Sequence, residues 1–306
     1  MFRLLGLVIA LLSPGVRSLA TLGPGRLAIA RHLLPVFYTS SAQVIRIPPG
    51  FDTSDTTTLP SGKPPALFLP GLDGQGIYAI PALTNLSTSH DLYKLNVPPE
   101  DRSSFVQIAD LVVEALREMP SPTVLIGDSC GALFASYVAS KESKLISSLV
   151  LINPATSFDR TAWSNLAPLV VNTGPAYNVL GPLIFTVGMV EPEQVIRIGG
   201  IALRNLVSAP DPSMYLSDLF ALARDFIQLL PPETVQWRIS RWLEVGNRLM
   251  APRYKEITVP TLLLLGKADK MLPSESEGFY LEERLCNAAV EVREFDSRGH
   301  MLLDDK

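Results

Sequence analysis

The residue types and spacing over positions 127–131, Gly-Asp-Ser-Cys-Gly, point to nucleophilic chemistry at Ser129. An apolar run over residues 124–126 leads into this Gly-x-Ser-x-Gly motif, and small residues with helical spacing follow it. A strand, a sharp turn and a helix in this order form a nucleophile elbow, which presents the serine hydroxyl at the end of the strand. We therefore predict that Ser129 attacks the carbonyl carbon of an acyl substrate.

A serine nucleophile needs a base to take its proton, and the base needs an acid to orient it. In α/β-hydrolases the acid and then the histidine follow the serine along the chain. Of the three histidines in this chain, only His300 follows Ser129, and it lies in a loop after a predicted strand. Asp269 lies beyond the carboxyl end of another apolar strand, where α/β sheets present functional groups. We predict Asp269 as the acid and His300 as the base.

Three other carboxylates are alternatives to Asp269. Glu275 and Glu277 lie in the helix that is predicted to follow Asp269, rather than at the end of the strand. Asp128 adjoins the serine, and its side chain is expected to point elsewhere on an elbow. Asp269 is therefore the preferred acid.

The oxyanion of a tetrahedral intermediate needs two hydrogen-bond donors. The backbone N–H of Cys130, which follows the nucleophile, is the expected first donor. The second is expected from the glycine-rich loop over residues 70–76, where the N–H of Leu72 is the first candidate and that of Asp73 the second. This loop lacks the Gly-Lys-Ser/Thr of a phosphate-binding loop, and no His, Asp or Glu cluster has the spacing of metal ligands. We expect neither a metal nor a cofactor.

Positioning these groups requires strands that alternate with helices. Helices are predicted over residues 77–86, 132–140 and 274–285 and from Ser103 onward, and strands over residues 44–47, 66–69, 92–95, 123–126, 145–152, 261–265 and 290–295. Such alternation predicts an α/β-hydrolase fold, with a mostly parallel sheet covered by helices on both faces. Its core would comprise residues 42–155 and 251–306.

The alternation stops between residues 156 and 250, a segment with a mostly helical pattern. Residues 161–190 carry no charged side chain, yet prolines and glycines interrupt them, and no run of about twenty apolar residues remains to cross a membrane. We predict a helical cap inserted over the nucleophile, with apolar surface that lines a tunnel for an acyl chain. The outer face of this cap is a candidate for peripheral membrane contact.

Composition narrows the function classes further. Hydrophobic residues make up 47% of the chain, and the net charge of −4 argues against a nucleic-acid partner. The first fifty residues contain five arginines and no Asp, Glu or Lys. Residues 1–41 read as a targeting segment, in which a signal-like apolar run precedes a transit-like stretch. This order predicts delivery to a plastid, and a plain secretory signal is the alternative.

Four motifs taken together resemble the phytyl ester synthase family of plastid acyltransferases, over residues 68–76, 127–131, 152–158 and 298–300. This resemblance implies transfer of fatty acyl groups to phytol or diacylglycerol, with Ser129, Asp269 and His300 at the matching positions. The family's second, lysophospholipid-acyltransferase-like half has no counterpart in these residues. For this chain the resemblance therefore favours hydrolysis of an ester or thioester more strongly than it does for full-length members of the family.

The sequence therefore favours a serine acyl-hydrolase or acyltransferase that acts on lipid esters or acyl thioesters through an acyl-enzyme. A catalytically silent protein of the same fold, binding a lipid or a protein partner at a plastid membrane, is the alternative. Reaction of Ser129 with a fluorophosphonate would distinguish the two classes, because only an activated serine is labelled.

Overall fold

The computed structural model describes residues 41–47, 61–177 and 230–303, together with isolated helical positions between 178 and 229. The predicted targeting segment lies almost entirely outside the described residues. Seven strands occur in the described part of the chain: β1 (Gln43–Ile47), β2 (Pro65–Leu69), β3 (Asp91–Asn96), β4 (Thr123–Asp128), β5 (Ile146–Ile152), β6 (Thr261–Gly266) and β7 (Val290–Phe295).

The helices of the same residues are α1 (Ile80–Leu86), α2 (Phe105–Glu118), α3 (Cys130–Lys141), α4 (Trp163–Val171), α5 (Pro232–Arg238), α6 (Glu244–Met250) and α7 (Ser274–Arg284). A π-helical turn, Ile239–Leu243, joins α5 to α6, and a 3-10 turn, Ile77–Ala79, precedes α1. The predicted strands and helices are therefore present, with ends that differ by at most three residues.

All seven strands belong to one sheet in the order β1-β3-β2-β4-β5-β6-β7. Only β1 runs antiparallel to its neighbour, β3, and the other five pairings are parallel. The prediction of a mostly parallel α/β sheet is confirmed. Because β4 lies in the centre of this sheet, the turn that follows it opens at the middle of the carboxyl edge.

Both faces of the sheet are covered, as continuous apolar strands require. All five residues of β2 are buried. Ala66 and Phe68 belong to one buried cluster, which includes residues of α1, and Leu67 and Leu69 belong to another, which includes residues of α2 and α3. Successive side chains of a strand point to opposite faces, and an apolar residue is therefore needed at every position of β2.

The start of α2 differs from the prediction. Ser104, not Ser103, caps this helix: its Oγ accepts a hydrogen bond from the N–H of Gln107, and the Gln107 Oε1 accepts one from the N–H of Ser104. The N–H of Ser103 donates to Asp101 Oδ1 at 2.7 Å. This contact holds Ser103 in the preceding turn, and the prediction that the helix starts there is wrong by one to two residues.

The described residues between β5 and β6 begin with a 3-10 helix, Ala155–Arg160, and continue through α4, α5 and α6. Trp242, in the π-helical turn, attaches this inserted segment to the core, because its ring lies edge-on to Phe134 of α3 with 5.4 Å between centroids. Phe134 in turn stacks on Phe105 of α2 at 4.5 Å. Nowhere in the described residues is a helix long and apolar enough to cross a membrane.

Candidate active site

Ser129 occupies the turn between β4 and α3 in a backbone conformation that few residues other than glycine adopt, with φ of 51°. Its N–H donates to the Ile152 carbonyl at 2.9 Å, and its carbonyl accepts from the N–H of Ala155 at 3.0 Å. A side chain at Gly131 would meet the Leu69 carbonyl oxygen at 2.0 Å, which is why only glycine fits there. Neighbouring backbone thus holds the strained turn in place, and such strain is typical of functional positions.

The side chains of Ser129, His300 and Asp269 lie together at the carboxyl edge of the sheet. His300 Nε2 is 3.0 Å from Ser129 Oγ, and His300 Nδ1 is 2.8 Å from Asp269 Oδ2. The Asp269 side chain is fully buried, and that of His300 is 10% exposed. The three residues chosen from the sequence therefore form one hydrogen-bonded chain, in the geometry of a nucleophile, a base and an orienting acid.

The carboxylate of Asp269 is held by four hydrogen bonds. Its Oδ1 accepts from the N–H groups of Met271 and Leu272 at 2.8 and 3.1 Å, and its Oδ2 accepts from Ser274 Oγ at 2.6 Å as well as from His300. Burial opposes ionisation, but the charge of His300 and these hydrogen bonds together lower the pKa of Asp269. The carboxylate is therefore ionised and fixed in rotation near neutral pH.

The electrostatic environment of His300 favours its charged form. Burial lowers the pKa of the imidazole, but the nearby carboxylate of Asp269, its hydrogen bond and the charge of Asp128 raise the pKa above its usual value. An imidazolium that formed when His300 took the proton of Ser129 would therefore be stabilised. This is the environment that a general base at a serine requires.

The alternative acids do not contact His300 in the described structure. Glu277 is buried and accepts hydrogen bonds from Thr156 Oγ1 and Arg160, while burial raises its pKa to about 7. Glu275 is half exposed and lies 3.6 Å from Lys267. Glu277 thus connects α7 to the inserted segment rather than to His300, and the geometry favours Asp269 as the acid.

Asn153, which the sequence analysis did not assign to the site, fixes the loop that carries His300. Its Nδ2 donates to the carbonyls of Gly299 and His300 at 3.1 and 2.9 Å, and its Oδ1 accepts from the N–H of Gly266 at 2.7 Å. Asn153 is fully buried, with φ of 37°. The Asn-Pro pair directly after β5 was the available signal, since asparagine tolerates the left-handed region better than most residues.

The glycine-rich loop over residues 70–76 passes beside the serine. A β-carbon placed on Gly71 would lie 3.4 Å from Ser129 Cβ. The N–H of Gly74 donates to the Gly71 carbonyl at 2.9 Å and closes a turn with Leu72 and Asp73 at its centre. The N–H groups of Leu72 and Asp73 lie outside that hydrogen bond, and both stay predicted oxyanion donors together with the N–H of Cys130.

The two cysteines differ in environment. Cys130 is buried, which raises the pKa of its thiol to about 12, and Cys286 is exposed; both are free thiols. Burial makes the Cys130 thiol unreactive, and the role predicted for this residue involves only its backbone N–H. Within the residues that the structure describes, no three His, Cys, Asp or Glu side chains come together as metal ligands would.

An apolar cavity lies between the loop over residues 70–76 and the inserted segment. Leu72 lines it on the loop side, and aliphatic and aromatic residues line it on the other sides, among them Phe158, Trp163, Val171, Val235, Ile239 and Met271. Leu72 connects this cavity to the loop that passes beside Ser129. An apolar lining of this kind suits a hydrocarbon chain.

Asp128 is buried directly beside the nucleophile. Tyr78 Oη donates a hydrogen bond to its Oδ2, and burial raises the pKa of Asp128 to about 7, despite the charge of His300 and the hydrogen bond from Tyr78, both of which lower it. The ordinary pKa of the carboxyl is 3.8. Asp128 therefore keeps its proton in the folded protein at pH values where the unfolded chain has lost it.

We expect replacement of Asp128 by asparagine to change the pH dependence of stability. The raised pKa favours folding fully below pH 3.8, and this contribution is lost as the pH rises to about 7. Asparagine does not titrate. The free energy of unfolding of the wild type minus that of Asp128→Asn should therefore be about 2–3 kcal/mol smaller at pH 8 than at pH 5. Urea unfolding at both pH values measures it, with the exposed Asp110→Asn of α2 as control. An equal difference at both pH values would refute the expectation.

A sequence profile of the alpha/beta hydrolase family matches residues 49–306. The chain belongs to this family. Two solved structures of low sequence identity show the same fold. One is MGS-M2, an alpha/beta hydrolase enzyme from a Medee basin deep-sea metagenome library (TM-score 0.56, 16% identity, 86% of this chain and 89% of that one). The other is the enol-lactonase from Burkholderia xenovorans LB400 (TM-score 0.56, 14% identity, 86% of this chain and 92% of that one).

Two chloroplastic proteins of Arabidopsis thaliana are similar in sequence. Phytyl ester synthase 1 is 29% identical over 252 residues, which cover 78% of this chain and 35% of that protein. Phytyl ester synthase 2 is 26% identical over 267 residues, covering 80% and 36%. The similarity inferred from the four motifs is confirmed. The chain spans about a third of the length of these curated relatives.

Proposed function

We propose that the chain is a serine acyl-hydrolase or acyltransferase acting through an acyl-enzyme at Ser129. The observation that carries the proposal is the hydrogen-bonded chain from Ser129 Oγ through His300 to Asp269, with contacts of 3.0 and 2.8 Å. In a family of esterases and related enzymes, this arrangement activates the hydroxyl as a nucleophile.

The reaction proceeds in two halves. Ser129 Oγ attacks the carbonyl carbon while His300 Nε2 takes its proton, and the negative oxygen lies against the N–H of Cys130 and that of Leu72 or Asp73. The intermediate collapses, His300 gives the proton to the departing alcohol or thiol, and the acyl group stays on Ser129. Water or an alcohol then attacks the acyl-enzyme with His300 as base, which releases the acid or a new ester and restores Ser129.

The substrate class in this proposal is a lipid ester or an acyl thioester. The apolar cavity supports it, because its lining suits a hydrocarbon chain and one of its lining residues, Leu72, belongs to the loop that passes beside Ser129. Similarity to two phytyl ester synthases supports phytol as an acceptor in competition with water, and diacylglycerol is the other acceptor in this proposal. Exclusion of water by the inserted segment, which we propose to be a cap over residues 156–250, would decide between them.

A competition between acceptors tests this function. The protein is given a long-chain acyl thioester and phosphatidylcholine vesicles with or without phytol, and the free acid and phytyl ester are separated by chromatography. We expect the wild type to release free acid and, when phytol is present, to divert part of the product to phytyl ester. Ser129→Ala should form neither. A wild type that forms neither product, although its serine is reactive, would exclude lipid acyl chemistry.

The same vesicles test a peripheral membrane contact, which we propose for the outer face of the inserted segment. Leu169 of α4 is 67% exposed, and Ile196, Leu203 and Val207 of the same segment are between 63% and 77% exposed. Such side chains can insert into the boundary of a bilayer. Co-sedimentation with the vesicles is expected for the wild type and should weaken in Leu169→Gln. If both proteins stayed in the supernatant with vesicles as they do without them, the result would contradict the contact.

We also propose a plastid location. The chloroplastic relatives support it, as does the acid-free, arginine-bearing composition of residues 1–41. A secretory route is the other outcome of the test, in which residues 1–41 are fused to a fluorescent protein and followed in an algal cell. Fluorescence that coincides with chlorophyll supports the proposal, and fluorescence in the secretory pathway or the medium contradicts it.

A further inference from the structure

Two buried basic side chains, which take no part in the proposed proton transfers, contact the loop over residues 70–76. Arg238, at the end of α5, and Lys94, in β3, are completely inaccessible to solvent. Burial of a cation costs several kcal/mol unless hydrogen bonds and counter-charges replace its water. Arg238 and Lys94 therefore need a structural or functional reason for their positions, and both direct their donors at backbone carbonyl groups.

Arg238 binds three carbonyls at once. Its Nη1 donates to the Leu72 carbonyl at 2.8 Å, and its Nη2 donates to the carbonyls of Val97 and Pro98 at 3.0 and 2.9 Å. The guanidinium also lies over the ring of Trp242, 4.6 Å from the centroid. The planar fork of arginine can bind two backbone segments at once. Here one segment is the loop beside Ser129, and the other directly follows β3.

The contact at Leu72 fixes the direction of a predicted oxyanion donor. In a trans peptide the C=O and the following N–H point in opposite directions. Arg238 holds the Leu72 carbonyl and so orients the N–H of Asp73, while the hydrogen bond from Gly74 to the Gly71 carbonyl orients the N–H of Leu72 in the same way. The directions of both candidate N–H donors are thus fixed by hydrogen bonds to the carbonyl groups of the same peptides.

Further hydrogen bonds hold the rest of the loop. Lys94 Nζ donates to the Gln75 carbonyl, and Asp73 Oδ2 accepts from the N–H of Gly76 at 2.7 Å. Gly74 has φ of +67°, and a β-carbon there would lie 2.8 Å from Arg238 Nη1. A glycine at this position therefore gives the guanidinium room to reach the loop. The buried basic side chains of Arg238 and Lys94 thus both bind carbonyl groups of this loop.

We propose that Arg238 is a positioning residue of the oxyanion site, which holds the Leu72–Asp73 peptide so that the loop N–H groups face the carbonyl of a substrate at Ser129. This inference rests on the proposed function. Because Arg238 belongs to the inserted segment, it links that segment to the acyl-transfer site. Val235 and Ile239, close to it in the chain, line the same apolar cavity as Leu72. An acyl chain bound in that cavity would contact residues on both sides of the hydrogen bond between Arg238 and the Leu72 carbonyl.

The test compares a transition-state analogue with a substrate in Arg238→Met and Arg238→Lys. An alkyl trifluoromethyl ketone adds to the serine and places a negative oxygen in the oxyanion site. For Arg238→Met we expect the inhibition constant to rise and kcat for a p-nitrophenyl ester to fall, each by about 10²–10³-fold, with KM changed much less. Arg238→Lys retains the charge but loses the fork, so an intermediate loss of about 10-fold is expected.

The matched control is Thr234→Val, one turn earlier in α5. Thr234 Oγ1 is buried and donates to the Pro99 carbonyl at 2.6 Å, so the change removes a hydrogen bond from the same helix without touching the loop. Its stability should fall while the inhibition constant and kcat stay within about threefold of the wild type.

Thermal unfolding identifies which variants fold; if Arg238→Met does not, Arg238→Lys decides by the same criteria. Wild-type inhibition constant and kcat in a folded Arg238 variant, or an equal loss in Thr234→Val, would overturn the proposal. A wild type that neither hydrolyses the ester nor binds the ketone would instead refute the proposed function.

Discussion

Replacing Ser129 with alanine is expected to abolish covalent labelling by a fluorophosphonate and to lower kcat for a p-nitrophenyl ester by about 10⁵–10⁶-fold. The hydroxyl oxygen lies 3.0 Å from His300 Nε2, and alanine removes it while keeping the β-carbon in the turn. The fold should survive, because Ser129 supports the elbow through its backbone N–H and carbonyl. In-gel fluorescence after labelling, together with initial rates, measures both effects.

Ser140→Ala is the matched control, since it removes a hydroxyl from α3 that donates only locally, to the Tyr137 carbonyl. It should label and hydrolyse like the wild type. A wild type that stays unlabelled, as Ser129→Ala does, would contradict the enzyme proposal. That result would favour a catalytically silent member of the fold that binds a lipid or a protein partner.

The second large effect is expected at Asp269. In Asp269→Asn the side-chain carbonyl would accept from the N–H groups of Met271 and Leu272, which turns the NH₂ group toward His300. His300 Nδ1 would then become an acceptor, and the ring proton would move to Nε2, which could no longer receive the proton of Ser129. We expect kcat to fall by about 10⁴-fold with little change in KM. Ester hydrolysis across a pH series measures the loss.

Glu277→Gln separates the orienting acid from a buried carboxylate in general. The side chain of Glu277 is as deeply buried as that of Asp269, but it accepts hydrogen bonds from Thr156 and Arg160. The change should alter stability and leave kcat within a few-fold of the wild type. If Glu277→Gln lost activity as Asp269→Asn is expected to, while Asp269→Asn remained active, the assignment of the acid would be wrong.

The features predicted well from the sequence are those with a local signature. Each buried strand is a short apolar run that ends at a turn, and the elbow is a strand, a motif and a helix in direct succession. Order along the chain then selected His300 and Asp269, because only one histidine follows Ser129. The contacts among these three side chains did not need a long-range prediction, since parallel strands bring their carboxyl ends to one edge.

Residues whose side chains bind distant backbone groups were not predicted from the sequence. Asn153 binds carbonyls of residues 299 and 300, and Arg238 binds the carbonyl of Leu72, 166 positions earlier. A carbonyl acceptor carries no residue-type signal, and neither partner can be read from the printed sequence. The capping error at α2 had a similar cause, because Asp101 holds Ser103 outside the helix.

The position of β7 at the edge of the sheet has a consequence for the timing of catalysis. As an edge strand, β7 pairs within the sheet with β6 alone, and most of its side chains are exposed. The loop that carries His300 follows β7 directly. Segments with few buried apolar contacts open at a lower free-energy cost than the whole domain. We therefore expect local opening of this edge, rather than global unfolding, to limit how long His300 stays aligned with Ser129, and we expect the hydrogen bonds of Asn153 to the carbonyls of Gly299 and His300 to oppose that opening.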